Sequence, residues 1–94
     1  MKVKTDFGEY DVSMDKLSYR DNGNLAIELT DTEDGCPFAM MTVNLGVKMA
    51  DDLAYVDTNN CPWAPEFIAE NKLGEFMGEW RNSGFCRYPL YKFY

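Results

Sequence analysis

Apolar and polar residues alternate through much of the first half of this chain, with the period of two that belongs to extended backbone. Tyr10, Val12 and Met14 fall on one face while Glu9, Asp11, Ser13 and Asp15 fall on the other, as in an antiparallel strand that sets one face in a core and one in water. Leu17 and Tyr19 have the opposite parity, so the spacing predicts a bulge near Asp15-Lys16 or a new element beginning there. Asp21-Asn22-Gly23-Asn24 supplies residues that accept positive φ and predicts a hairpin turn. Its partner strand has Leu25, Ile27 and Leu29 on one side and Ala26, Glu28 and Thr30 on the other. Asp31 to Gly35 then makes an acidic turn before a third strand from Phe38 to Leu45.

Gly46 to Asp52 reads as a loop and Leu53 to Val56 as a short apolar strand. Thr58, Asn59 and Asn60 offer helix caps, and Pro62 suits a first helical position. Trp63, Phe67 and Ile68 form one apolar stripe, and Gly74 follows as the terminating glycine. Glu75 to Trp80 and Phe85 to Tyr94 read as a closing hairpin around Arg81-Asn82-Ser83-Gly84. The expected fold class is α+β: an antiparallel β-sheet meander with a single α-helix packed on it, in one domain over residues 1–94.

Composition changes this picture chiefly through charge. The 94 residues carry 16 Asp and Glu against 9 Lys and Arg, a net charge of -7, with no histidine. Residues 1–80 hold all the acids, whereas residues 81–94 hold three bases and none. Lack of histidine removes the usual general base and imidazole metal ligand, and no glycine-rich phosphate loop precedes a helix. These features disfavour an enzyme. No apolar run is long enough for a membrane span, and the first residues lack a signal-peptide core, which sets the expectation of a cytoplasmic protein with no membrane partner.

Cys36, Cys61 and Cys86 are odd in number and widely spaced, favouring reduced thiols over a disulfide framework while leaving a single Cys61–Cys86 pairing open. Cys61 sits at the expected helix start, where the dipole and free amides favour a thiolate. Asp57, Cys61 and Cys86 could together hold zinc, although no cysteine pair has Cys-x-x-Cys spacing. Two small buried thiols, with no cofactor, are the plainer expectation. The tail mixes Arg81, Arg87 and Lys92 with Phe85, Tyr88, Tyr91, Phe93 and Tyr94, a pattern that can grip single strands. Beside a strongly acidic body it argues against direct nucleic-acid binding, and a terminal strand needs those aromatics for its core. Glu28, Asp31, Glu33, Asp34, Asp51 and Asp52 are the expected partner-binding residues, provided they share a face.

Leu53 to Ala64, Phe67-Ile68, Leu73-Gly74, Ser83 to Cys86 and Tyr88 to Tyr91 carry a family resemblance, extended upstream by Asn24 to Ile27, Asp34-Gly35 and Pro37 to Ala39. On these residues the chain resembles an uncharacterised family of small acidic proteins carried by phages and conjugative elements of gut and related bacteria, a domain of unknown function. Cys36 stands where that family's pattern has another residue, which weighs against a three-thiol metal site. The resemblance implies a mobile-element setting, in which small acidic proteins disable host defences and several anti-CRISPR and antirestriction proteins look like DNA mimics. The expectation is a non-enzymatic anti-CRISPR inhibitor whose acidic face occupies the basic channel of an RNA-guided nuclease of the Cas9 type. The alternative is a structural or adaptor module of a mobile element, which zinc held by Cys61 and Cys86 could stabilise.

Overall fold

The computed structural model describes residues 1–94. Eight strands and one helix follow in the order β1 (Lys2–Thr5), β2 (Gly8–Ser18), β3 (Leu25–Asp31), β4 (Pro37–Met40), β5 (Thr42–Val43), β6 (Leu53–Val56), α1 (Ala64–Glu70), β7 (Gly74–Ser83) and β8 (Cys86–Phe93). They form two four-stranded antiparallel sheets, β1-β2-β3-β4 and β5-β6-β8-β7, rather than one meander. The first sheet is the expected meander with β1 added at its edge. In the second, β8 inserts between β6 and β7, and α1 lies in the connection.

The strand expected over Phe38 to Leu45 is broken at Met41, and that break makes two sheets from one. Met41 is fully buried; its N–H donates to the Ile27 carbonyl in the first sheet, and its own carbonyl accepts from Asp57 N–H beside the second, both at 2.9 Å. One residue later Thr42 Oγ1 accepts the buried Ile27 N–H at 3.1 Å and shares a 3.0 Å hydrogen bond with the Tyr19 hydroxyl. A hydroxyl thus satisfies a backbone group that the ladder leaves behind. Both sheets and the helix drain into one core, including Val3, Val12, Ile27, Leu29, Val56, Phe67, Ile68 and Phe93. Helix α1 touches the edge strands β1 and β7 and buries Ala64, Phe67 and Ile68.

Three local expectations are corrected. Strand β2 runs without a bulge, because its register against β3 is constant from Val12↔Asp31 to Ser18↔Leu25. Leu17 simply faces outward, 47% exposed, while Tyr19 turns back to Thr42. The helix begins at Ala64, not Pro62, with Trp63 at the N-cap and no side-chain cap; Pro65, lacking an N–H, is harmless in the first turn. It ends not on Gly74 but on Lys72, at φ 53°, with Leu73 N–H returning to the Ile68 carbonyl and Lys72 N–H to that of Ala69. This is the Schellman arrangement made with a lysine. Gly74 is needed for another reason: a Cβ there would collide with the Lys92 carbonyl.

The buried Asn24 fastens the Gly46–Asp52 loop. Its Nδ2 donates to the Val47 carbonyl at 2.7 Å and its Oδ1 accepts from Met49 N–H at 2.9 Å, so the β2–β3 turn and the loop hold each other. Thr42→Val keeps shape but strands the Ile27 N–H, and urea unfolding is expected to show a loss of about 2 kcal/mol. Tyr19→Phe, which leaves that bond in place, should lose about 1 kcal/mol or less. Equal losses would show that Ile27 finds another partner.

Candidate functional site

The largest concavity is an open groove of about 440 Å³ at the margin of the core. Its first wall is the β1–β2 turn. Thr5 Oγ1 accepts Phe7 N–H at 3.1 Å and donates to the Gly8 carbonyl at 3.2 Å, and Gly8 takes a φ of 140° that a side chain would disfavour. This brace presents Asp6 to the groove and leaves Phe7 on its rim, 92% exposed.

The floor is aromatic. Tyr10 follows the core parity of Val12 and Met14 on β2. Phe38 is the extra residue of a β-bulge, since Leu29 pairs with Ala39 but Thr30 with Pro37. Bulges re-aim side chains, and this one sets the Phe38 ring between Tyr10 and Trp63, with centroids 5.1 Å and 5.7 Å away. Trp63 continues edge-on to the buried Phe67 at 5.9 Å.

The remaining wall is the stretch that was expected to cap the helix. Asp57 folds it instead: Asp57 Oδ1 accepts Asn60 N–H at 3.2 Å, Oδ2 accepts Asn60 Nδ2 at 2.9 Å, and its carbonyl accepts Cys61 N–H at 2.8 Å. That turn brings Asn59, Asn60 and Pro62 to the groove. No basic residue lines it.

The proposed metal ligands behave otherwise. Asp57, Cys61 and Cys86 do not assemble into a group of three ligands, and all three cysteines are free. Cys61 lies before the helix and is buried; burial, then the negative charge of Asp57, pushes its thiol up to about 11, the reverse of the thiolate expected at a helix start. Its Sγ donates to the Met40 carbonyl at 3.7 Å.

The acidic partner-binding candidates fall into separate groups. Asp31, Glu33 and Asp34 form the β3–β4 turn, where Asp31 Oδ1 accepts Glu33 N–H and Asp34 Oδ1 accepts Cys36 N–H, each at 2.9 Å. Asp51 and Asp52 are exposed before β6 on the other sheet, at the opposite end of the β4–β5 run. Glu28 is half-buried midway along β3, directly opposite Asp15. The acidic residues therefore do not make one strip.

The closing hairpin divides its aromatics between core and solvent. Tyr91 and Phe93 are buried, whereas Phe76, Met77, Trp80 and Phe85 stand out along an arm in which Arg87 packs over the Trp80 ring at 4.3 Å. Gly78, at φ 81°, sits in the irregular stretch of β7 between Phe76 and Trp80. No helix is long and apolar enough to cross a membrane.

A family model described as Domain of unknown function (DUF4313) matches residues 13–94. The chain belongs to the DUF4313 family. No curated protein and no solved structure matches it. The match begins inside β2, so the DUF4313 region contributes Phe38, Asn59, Asn60, Pro62 and Trp63 to the groove, while Thr5, Asp6, Phe7 and Tyr10 precede it.

Sequence reasoning missed this groove. The available signal was Phe7, a large apolar residue between Asp6 and Gly8 in what must be a turn. An alkylating reagent at pH 8 is expected to label the exposed Cys36 first and Cys61 last. Because an ordinary Cys thiol near 9.0 is raised to about 11 here, folding holds the proton more tightly than the unfolded chain does. Its contribution to stability is intact below about pH 9 and is lost as pH rises from about 9 to about 11. Urea unfolding across that window should show a smaller decline for Cys61→Ala than for the parent, and parallel declines would contradict a buried thiol.

Proposed function

We propose that this DUF4313 chain is a non-enzymatic anti-defence inhibitor, acting in the cytoplasm of a bacterial host carrying a mobile element. It engages a cationic protein surface, in the most specific form the nucleic-acid channel of an RNA-guided nuclease of the Cas9 type. The observation that supports this reading is an uncompensated surface charge. Of 16 carboxylate side chains, only Asp11 and Glu70 make ion pairs, Asp11 with the Met1 amine and Lys2, and Glu70 with Lys4. The other acids project their field into solvent, which speeds encounter with a basic surface and disfavours free nucleic acid. Separation of the Asp31–Asp34 turn from Asp51-Asp52 means contact at two places rather than imitation of one continuous phosphate strand.

A second reading, an adaptor module for another element-encoded protein, is favoured by the β7–β8 arm with its exposed Phe76, Trp80 and Phe85. Substitutions separate the two. Glu33→Lys, Asp51→Lys and Asp52→Lys together reverse exposed charges that make no side-chain hydrogen bonds, whereas Asp31 and Asp34 are better neutralised as Asn, which keeps their turn bonds. In a DNA-cleavage assay with a guide-loaded nuclease of this type, the parent should inhibit, and about tenfold less well in the triple variant and at about 200 mM rather than about 50 mM salt. No inhibition by the parent, or full inhibition by the folded triple variant, would sink the electrostatic reading. Inhibition kept by the triple variant but lost in the Phe76→Ser, Trp80→Ser double variant would put the contact on the β7–β8 arm instead of the acids.

A further inference from the structure

The groove beside the β1–β2 turn has a chemistry of its own, and we propose that it receives the guanidinium of an arginine side chain presented by the partner protein. The proposal deepens, and rests on, the reading of a cationic partner. Charge is the first argument. Asp6 brings a carboxylate to a groove with no lining cation, and the nearby Lys4, in an adjoining depression, is 4.0 Å from Glu70 Oε1.

Aromatic surface is the second argument. Tyr10, Phe38 and Trp63 are half-buried in a continuous row, each with an edge or face left to the groove, and the bulge at Phe38 is what completes the row. A guanidinium is planar and weakly hydrated, so it stacks on such rings while its N–H groups stay available to a carboxylate. A lysine ammonium does neither as well, being compact and strongly hydrated. A nucleotide is disfavoured because its phosphate would meet Asp6 with no cation in the lining.

The groove also supplies hydrogen-bond acceptors. Asn60 gives one of its two Nδ2 hydrogens to Asp57, which orients the amide, and its Oδ1 accepts no hydrogen bond within the chain and so is open to a donor-only ligand. Phe7 stands on the rim with most of its surface in water, and an occupant carrying an aliphatic stem would cover it. A space of about 440 Å³ exceeds what an ammonium needs and accommodates a whole arginine side chain.

The test uses the full chain carrying Trp80→Phe, which leaves Trp63 as the single tryptophan reporter. N-acetyl-arginine N-methylamide, its citrulline counterpart, in which a neutral urea replaces the guanidinium, and the lysine counterpart are titrated against Trp63 fluorescence. A saturable response to arginine is expected, with citrulline at least about tenfold weaker and lysine intermediate. Adding Asp6→Asn or Phe7→Ala, both exposed turn positions outside the core, should weaken arginine binding about tenfold or less while the fold persists. Citrulline binding as well as arginine, or an arginine affinity unmoved by Asp6→Asn, would overturn the proposal. Such a failure is distinct from failure of the electrostatic reading, because Glu33, Asp51 and Asp52 lie outside the groove and are tested by cleavage inhibition.

Discussion

The structure depends on how one strand passes from one sheet to the other at Met41-Thr42. Ile27 is the pivot: its carbonyl accepts Met41 N–H, and its N–H donates to Thr42 Oγ1, so both backbone groups of a fully buried residue are satisfied across the crossing. A buried amide left without a partner costs on the order of 1–3 kcal/mol, a large share of the stability of a domain this size. With Ile27 satisfied, the chain can leave β3 and join β6 without exposing the core. Met41 carries the link onward, since its carbonyl holds Asp57 N–H.

That crossing also places the groove. Asp57, fixed by Met41, folds the Asp57–Cys61 turn that delivers Asn60, Pro62 and Trp63. On the near side of the crossing, the bulge in β4 delivers Phe38, and β2 supplies Tyr10. Residues far apart in sequence thereby meet in a row of rings at the edge of a shared core, with Asp6 contributed by a braced turn. Two electrostatic features coexist: a diffuse field from exposed acids, screened by salt over a Debye length of about 8 Å, and a short-range site with one carboxylate and several aromatics. In the proposed function the first speeds encounter with a cationic partner and the second selects a particular side chain.

Much of the local architecture is legible in the residues. Alternation located β2 and β3, a short apolar run located β6, Asn22-Gly23 marked the hairpin turn, and the apolar stripe of Phe67 and Ile68 marked the helix. What failed did so where tertiary hydrogen bonds override local pattern. Phe38 to Leu45 is uniformly strand-like, and nothing in its period shows that Met41 changes sheets. Thr58, Asn59 and Asn60 look like helix caps, yet Asn60 is drawn into the Asp57 turn, because capping and Asx turns use the same side chains. Lys72 replaces the glycine as helix terminator, and Cys61 follows burial rather than the helix dipole. The groove was hidden for a related reason: Phe38 reaches it through a one-residue bulge, and a bulge leaves no mark on composition.

If cationic partners seat an arginine in the aromatic groove, as proposed, a residue-resolved NMR titration with an arginine-rich peptide reads that contact at individual side chains. Saturable shifts are expected at Trp63 Nε1–H, the Asn60 side-chain amide and the Asp6-Phe7 backbone, with Trp80 Nε1–H unmoved. Shifts confined to Trp80 and the β7–β8 arm, with Trp63 and Asn60 silent at saturation, would contradict it.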